Sequence, residues 1–311
     1  MTEFETPALL KLLEATVEEN LDRHLATAED WLPHEYVPWG EGRNFAALGG
    51  EPWSTGQSQL SPVARTALEL NLLTEDNLPS YHAELKSTFG RQGAWGAWVN
   101  RWTAEEGRHA SCIRDYLLVT RGVDPERLEQ DRMATLQAGW DSGDKPLLHA
   151  CVYVSFQELA TRVSHRNTSR HCEDPVAERL LTRIAMDENL HMIFYRNLVQ
   201  AALEIAPGST LRAIADEVAG FVMPGSAVPG FARKAAHIAQ AGIYDLRIHH
   251  DDVITPLLRH WRVFEAEALD AEGEQAQHDL ASALAALDAR ATRFAARQAE
   301  ARAERSIGQN G

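Results

Sequence analysis

The chain has 311 residues, with 30 Lys and Arg against 45 Asp and Glu, so its formal net charge is −15 at pH 7. Hydrophobic residues make up 44% and charged residues 24%, a globular mixture that excludes a wholly disordered chain. The acidic balance argues against nucleic acid as the main partner, because phosphate recognition requires a concentrated basic surface. Thirteen His beside three Cys favour a metal site of oxygen and imidazole ligands over a thiolate site.

The three cysteines, Cys112, Cys151 and Cys172, are too few and too far apart for a disulfide framework or a zinc ribbon. A sparse, odd number is typical of reduced thiols in a cytosolic protein. The acidic N-terminus lacks the basic and apolar regions of a signal peptide. No run of roughly 18 or more apolar residues exists. These features predict a cytoplasmic protein without a transmembrane segment.

Helical periodicity dominates the sequence, and no stretch shows the period of two that a half-buried strand requires. We therefore predict an all-α protein with a single domain. In chain order, its parts are an N-terminal helix at 1–30, an ordered loop at 31–62, a helical core at 63–205, additional helices at 206–305 and a frayed tail at 306–311. Prolines and glycines indicate the loop, and its three tryptophans should pack it against the body.

Two similar motifs lie inside the helical core. The sequence EEGRH places Glu106 three residues before His109, and DENLH places Glu188 three residues before His191. Residues three apart share one face of a helix, so each pair can bind a single centre. Both pairs fall on the apolar stripe of their helix, where a charged group is costly unless it is paired or metal-bound.

Two further carboxylates, Glu75 and Glu158, also lie on apolar stripes, 31 and 30 residues before the Glu of each motif. Each half of the core should therefore be a helix with a lone Glu, a turn, and a helix with Glu-x-x-His. In the first half, Pro79 should kink the helix or restart it, because proline has no amide hydrogen. Two such hairpins form a four-helix bundle in which four Glu and two His converge. This ligand set is that of ferritin-like di-iron or di-manganese proteins, and we predict that fold with flanking helices.

A metal also removes an electrostatic problem, because four buried carboxylates without a cation would repel one another and become protonated. Oxygen-rich ligation with two imidazoles suits iron, or manganese, better than zinc or copper. Glu105 and Asp187 could accept the outer ring N–H of a ligand His from the facing hairpin, or they form salt bridges at the rim. Thr161, one turn after Glu158, could place its hydroxyl at the oxygen-binding position or simply bond its own backbone.

Six short stretches carry a resemblance to a known family: TEDNLPSY at 74–81, WTAEEGRH at 102–109, SFQELAT at 155–161, AMDENLH at 185–191, AGIY at 241–244 and LRHWR at 258–262. Together they resemble the soluble acyl-[acyl-carrier-protein] desaturases of plant plastids and actinobacteria. The resemblance covers roughly residues 5–290. One departure is Gly107, where the family usually has Asn, and the C-terminal end is less similar.

The resemblance implies a ligand set for two iron ions, namely Glu75, Glu106, His109, Glu158, Glu188 and His191. Of these, Glu106 and Glu188 would bridge the irons, and Thr161 would lie near the O2 site. The implied reaction uses O2 and two electrons from reduced ferredoxin to form a cis double bond in an acyl chain carried on acyl carrier protein. The resemblance also implies a dry apolar tunnel for the acyl chain and a homodimer.

An acidic chain needs a local basic surface to bind an acidic carrier protein or ferredoxin. Arg162, Arg166 and Arg170 are spaced four apart on the helix that continues from Glu158, and we predict them as such a contact. The alternative is a solvated helix face.

Four other functions are compatible with parts of this pattern. A ferritin-type iron store should be much shorter, and a helical scaffold should bind no metal. A radical-generating reductase subunit should have a Tyr just after the first motif, but this chain has Ile113 at that position. A di-iron oxygenase or hydroxylase that acts on another substrate remains the main alternative to a desaturase.

Overall fold

The computed structural model describes residues 6–226, 228–267 and 269–308, with side chains described as far as residue 300. These residues form α-helices, four short 3-10 helices, one π-helical segment at His249–Ile254 and no strand, which confirms the predicted all-α class. The helices are α1 (Thr6–Thr27), α2 (Pro62–Glu75), α3 (Leu78–Phe89), α4 (Gly93–Val119), α5 (Pro125–Ala138), α6 (Leu147–Cys172), α7 (Pro175–Ile205), α8 (Pro207–Gly220), α9 (Phe231–Ala241), α10 (Leu246–Ile248), α11 (Thr255–His260) and α12 (Ala271–Gly308).

Side-chain caps and prolines set where the core helices begin. The Ser61 hydroxyl accepts a hydrogen bond from the Ala64 amide (3.1 Å) at the start of α2. Asp124 and Asp174 accept amide hydrogens in the same way at the starts of α5 and α7. A proline follows each of these three caps in the first turn, where a missing amide hydrogen breaks no helical bond.

The helices that carry the predicted ligands are α2, α4, α6 and α7, and they pack together. In the second half of the core, α6 and α7 are joined by residues 173–174 and form an extensive pair, as predicted. The first half differs, because α3 lies between α2 and α4 in the chain. The predicted restart at Pro79 is present, with that proline in the first turn of α3. The prediction of a single turn after Glu75 is therefore wrong, and a further helix occupies that position.

The loop between α1 and α2 is held in place by a buried arginine, Arg121, which follows the end of α4. The Arg121 guanidinium donates hydrogen bonds to the Glu51 carbonyl (2.6 Å) and to the Gln57 side-chain oxygen (2.9 Å). Among the loop tryptophans, Trp31 is buried, whereas Trp39 is 52% exposed and does not pack the loop as expected. A buried polar anchor thus shares the role that the sequence assigns to aromatic packing.

The additional helices follow α7, and α8 packs extensively against α12. Because α12 continues to Gly308, the helix extends beyond residue 306, where the tail was predicted to fray; residues 309–311 lie outside the described part of the chain. The predicted N-terminal helix is present as Thr6–Thr27. No helix among the described residues is long and apolar enough to span a membrane.

Candidate metal centre

The bundle brings all six predicted ligands together in its interior. Each is at most 6% exposed. Their candidate ligand atoms fall into two groups, each within 4.8 Å. One group contains Glu75, Glu106, His109 and Glu188, and the other contains Glu106, Glu158, Glu188 and His191. Glu106 and Glu188 belong to both groups, so the arrangement could hold two neighbouring metal ions with two carboxylates between them.

Both imidazoles turn their Nδ1 atoms toward these carboxylates. His109 Nδ1 lies 3.2 Å from Glu188 Oε1 and 3.5 Å from Glu106 Oε2. His191 Nδ1 lies 2.9 Å from Glu106 Oε1 and 3.6 Å from Glu158 Oε2. Each histidine therefore faces one shared carboxylate at close range, as a pair of adjacent metal sites requires.

Six of the candidate metal-binding atoms at the centre have no hydrogen-bond partner within the described chain. They are Glu106 Oε1, Glu158 Oε2, both carboxylate oxygens of Glu188, and the Nδ1 atoms of His109 and His191. Burying such groups unpaired is costly, and nearly all buried polar atoms in proteins find a partner. Two neighbouring cations among them would satisfy the whole set, so these residues fit a metal centre.

The pKa values of the carboxyl groups also indicate that the cluster needs a cation. Burial, followed by the negative charges of Glu106 and Glu158, raises the pKa of Glu188 well above its usual value. Burial also raises the pKa of Glu106. For Glu75, burial acts to raise the pKa, but the contacts with the His109 and His165 imidazoles outweigh it and lower the pKa. The shared carboxyls are thus the ones that a cation would have to keep ionised.

On one side of the centre, the outer nitrogen of His191 is held by Glu105. His191 Nε2 lies 2.9 Å from Glu105 Oε2, and the same oxygen lies 2.9 Å from His24 Nε2 on α1. Arg101 donates a hydrogen bond to the other oxygen of this carboxylate (2.6 Å). Glu105 is on α4 and His191 on α7, so the contact between facing helices that the sequence predicts is present.

On the other side, Asp187 holds His109 in the reciprocal arrangement. His109 Nε2 lies 3.3 Å from Asp187 Oδ2, which also accepts a hydrogen bond from the Trp31 indole N–H (2.7 Å). Arg183 pairs with the second oxygen of Asp187. Arg108 lies between the two carboxylates, with its Nη2 3.6 Å from Glu105 and 3.7 Å from Asp187. These contacts orient both imidazoles with Nδ1 facing inward.

Three residues at the centre were missed from the sequence: His24, Trp31 and His165. His165 is fully buried, and its Nε2 lies 2.8 Å from Glu75 Oε1. A signal for His165 existed, because it follows Glu158 by seven residues, about two helical turns, on the same face of α6. No sequence signal exists for His24 and Trp31, because α1 and the following loop reach the centre only through tertiary packing.

Thr161 is half-buried, and its hydroxyl bonds within its own helix, which is the alternative to a position at the oxygen site. Its hydroxyl donates a hydrogen bond to the Gln157 carbonyl (3.0 Å) and lies 3.2 Å from the Gln157 side-chain nitrogen. A role at the oxygen site stays a prediction.

A cavity that opens to solvent lies beside the centre. Trp102 lines it and donates an indole hydrogen bond to Glu158 Oε1 (2.9 Å), so this side chain separates the cavity from the cluster. Gln157, next to Glu158 in the chain, lines the cavity too. Most of the remaining wall is apolar or aromatic: Tyr81, Leu85, Trp140, Ala150, Tyr153, Val154 and Pro224, with Glu84, Thr88, Ser142 and Lys145 as polar members.

The fold and the cluster define a ferritin-like helical protein whose buried carboxylates and imidazoles could hold metal ions. The fatty acid desaturase family model matches residues 5–308, and the chain belongs to this family.

Among its relatives is DesA1 of Mycobacterium tuberculosis, which carries the name acyl-[acyl-carrier-protein] desaturase. It is 48% identical over 294 residues, covering 92% of this chain and 87% of the relative. The chloroplastic palmitoyl-[acyl-carrier-protein] 4-desaturase 3 of Ophrys sphegodes is 30% identical over 290 residues, covering 86% and 72%. An X-ray structure of DesA2 from Mycobacterium tuberculosis H37Rv superposes with a TM-score of 0.70 at 33% identity. It covers 86% of this chain and 99% of DesA2.

Proposed function

We propose that this chain is an acyl-[acyl-carrier-protein] desaturase with a carboxylate-bridged di-iron centre. The observation that carries the proposal is the pair of ligand groups that share Glu106 and Glu188, next to a cavity with mostly apolar walls. The names of the relatives support the substrate class, since both relatives described above are named for acyl chains on the carrier protein.

In this proposal, each metal position has its own Glu and His. Glu75 and His109 would hold one ion, Glu158 and His191 would hold the other, and the two shared carboxylates would bridge them. Iron fits the donor set, and manganese is the second choice. The bound metals would supply the oxidising chemistry with O2.

The remaining residues of the site position groups and exclude water. Glu105 and Asp187 hold the outer nitrogen of each histidine so that Nδ1 faces the metals, and the cavity would hold the acyl chain beside Trp102. In the overall reaction, two C–H bonds break and one carbon–carbon double bond forms. The two hydrogens removed from the chain combine with one O2, two electrons and two protons to form two waters. Reduced ferredoxin would supply the electrons, and acyl carrier protein would present the chain.

The test uses iron-loaded protein, ferredoxin, its reductase and acyl-carrier-protein substrates of several chain lengths, with mass spectrometry of the fatty acids. We expect a product that is two mass units lighter than its substrate, with a single double bond. Oxygen consumption that yields a hydroxylated product instead would favour the alternative oxygenase. Iron loading far above two ions per chain without turnover would favour a ferritin-type store.

The same proposal includes a homodimer in the cytoplasm. Both were expected from the sequence, and both have direct tests: the solution mass of the purified protein and cell fractionation.

A further inference from the structure

Three arginines form a basic ridge on α6 that the proposed chemistry does not use. The arginine ridge consists of Arg162, Arg166 and Arg170, spaced four apart, so that they share one face of the helix. Arg166 and Arg170 are exposed, and Arg162 is half-buried. Among the ion pairs of the described residues, none within 4.0 Å involves these guanidinium groups. In a chain with a net charge of −15, this is an unneutralised positive surface.

The ridge stands between two surface grooves, and the first of them adds further positive charge. The first groove, about 940 Å³ including open space, also contains Arg196 and His260. Its carboxylate is Asp252. Arg196 Nε is buried without a hydrogen-bond partner in the described chain. Burial, followed by the charge of Arg23, lowers the pKa of Arg196. This groove holds several cations against a single acid.

The second groove, about 870 Å³ including open space, lies over α7. Met186 in this groove is 46% exposed, and Asn189 and Leu190 line it beside the ridge. These residues are chain neighbours of Asp187, Glu188 and His191, which point into the metal centre. The Glu29 carboxylate in this groove is already paired with Arg183 (3.1 Å). A partner seated here would be separated from the metal centre by one helix.

The ridge faces away from the cavity that would hold the acyl chain. Arg166 follows the cavity-lining residue Gln157 by nine residues, about two and a half turns, which places the two side chains on opposite sides of α6. A protein that must thread an acyl chain into the cavity would therefore gain nothing from binding at the ridge. A protein that delivers only electrons has no such requirement.

We propose that the arginine ridge is the docking surface for an acidic electron-donating protein of the ferredoxin type, and not for the acyl carrier protein. The inference rests on the proposed function for the need of such a donor. Charge complementarity supplies attraction and orientation, and exposed Met186 supplies an apolar contact beside the charges.

The experiment compares two matched double variants of the iron-loaded full chain. Arg166→Glu with Arg170→Glu reverses the exposed part of the ridge. Arg293→Glu with Arg297→Glu makes the same charge change, at the same spacing, on exposed positions of α12. Binding of a purified bacterial ferredoxin is measured by calorimetry at low and high salt. KM is measured separately for ferredoxin and for acyl carrier protein, and a chemical reductant serves as a donor that needs no docking.

The ridge variant should bind ferredoxin about tenfold more weakly at low salt, and the difference should shrink as salt screens the charges. The α12 variant should stay close to the parent protein, and the KM for acyl carrier protein and the turnover with chemical reductant should be unchanged. Unchanged ferredoxin binding, absence of ferredoxin binding by the parent, or a rise confined to the KM for acyl carrier protein would overturn the proposal. If ferredoxin binding responds as expected but no double bond forms, the docking surface stands and the proposed reaction fails.

Discussion

The two sides of the candidate metal centre carry matching candidate ligands in different surroundings. Glu75 accepts its contact from a histidine, His165, whereas Glu158 accepts one from the indole of Trp102. The outer carboxylates show the reverse pattern. Asp187, on the side of Glu75, contacts the indole of Trp31, whereas Glu105, on the side of Glu158, contacts the imidazole of His24. Apart from its ligand histidine, each side therefore has one imidazole, which can ionise, and one indole, which cannot. The imidazole and the indole lie at different distances from the candidate metal position.

This difference separates what a repeated motif fixes from what tertiary packing adds. Glu-x-x-His on an apolar stripe suffices to direct two ligands inward from each of α4 and α7. The residues that distinguish the two sides come from α1, from the loop after it, and from other turns of α4 and α6. The comparison predicts that the shared carboxylates control both metal positions, while the unmatched neighbours adjust one position each.

The largest expected effect comes from removing a shared carboxylate. Glu188→Ala should abolish stable binding at both positions, because it removes one of the two shared ligands from each ion. Glu75→Ala should spare the position formed by Glu158 and His191. Iron per chain after desalting, measured by elemental analysis, should fall from about two to near zero in the first variant and to about one in the second. Equal iron loss in the two variants would contradict a bridging role for Glu188.

A buried histidine away from the centre should have a lowered pKa, whereas the two histidines at the centre have raised pKa values. At the centre, burial opposes the charge of His109 and His191, but the surrounding carboxylates raise their pKa values well above normal. His249 is buried without such a carboxylate: it contacts the Tyr244 hydroxyl (2.8 Å) and stacks on Phe221. Burial, followed by the charge of His250, lowers its pKa from 6.5 to about 4.

A lowered histidine pKa makes folding less favourable in acid, because the unfolded chain takes up a proton near pH 6.5 that the folded chain refuses until about pH 4. Between pH 7 and pH 5, this group alone should cost about 2 kcal/mol of unfolding free energy. His249→Gln keeps a hydrogen-bonding group and cannot titrate, so its loss of stability over that range should be smaller by this amount. Denaturant unfolding of both proteins at each pH gives the comparison, and parallel pH curves would refute it.

A smaller effect is expected from the residue that distinguishes Glu75 from Glu158. His165→Ala removes the contact to Glu75 and leaves a buried carboxylate oxygen without its partner, so the iron affinity should fall about tenfold. The loss should be confined to one of the two ions, which Mössbauer spectra of partly loaded protein would separate. Trp102→Phe is the matched control on the other side, and it should shift the opposite ion. Identical spectra for both variants would show that the two sides are not independent.

Helical periodicity is sufficient to predict the helical class and to place the six candidate ligands on buried faces. For Glu105 and Asp187 the sequence leaves a histidine contact and a rim salt bridge as alternatives, and the structure places them beside His191 and His109. Prediction from sequence fails where local rules compete or where contacts are distant. The nearly equal spacings of 31 and 30 residues predict two similar hairpins. The sequence also predicts the restart at Pro79, but it does not show that the restart adds a whole helix, α3, to the first hairpin. Arg121, which fixes the loop, has no periodic signal because its partners are backbone carbonyls of an irregular segment.

The smallest expected effect concerns the one position at which the two motifs differ in backbone freedom. Gly107 follows Glu106 in the interior of α4, where Asn189 follows Glu188 in α7. A Cβ at Gly107 would meet only Leu78 Cδ2, at 3.9 Å, so the helix has room for a side chain there. Because glycine loses more backbone entropy on folding than alanine, Gly107→Ala should stabilise the chain by about 0.5–1 kcal/mol. Calorimetry should show a slightly higher Tm at unchanged iron content, whereas a lower Tm would mean that α4 needs this glycine for a close contact on its outer face.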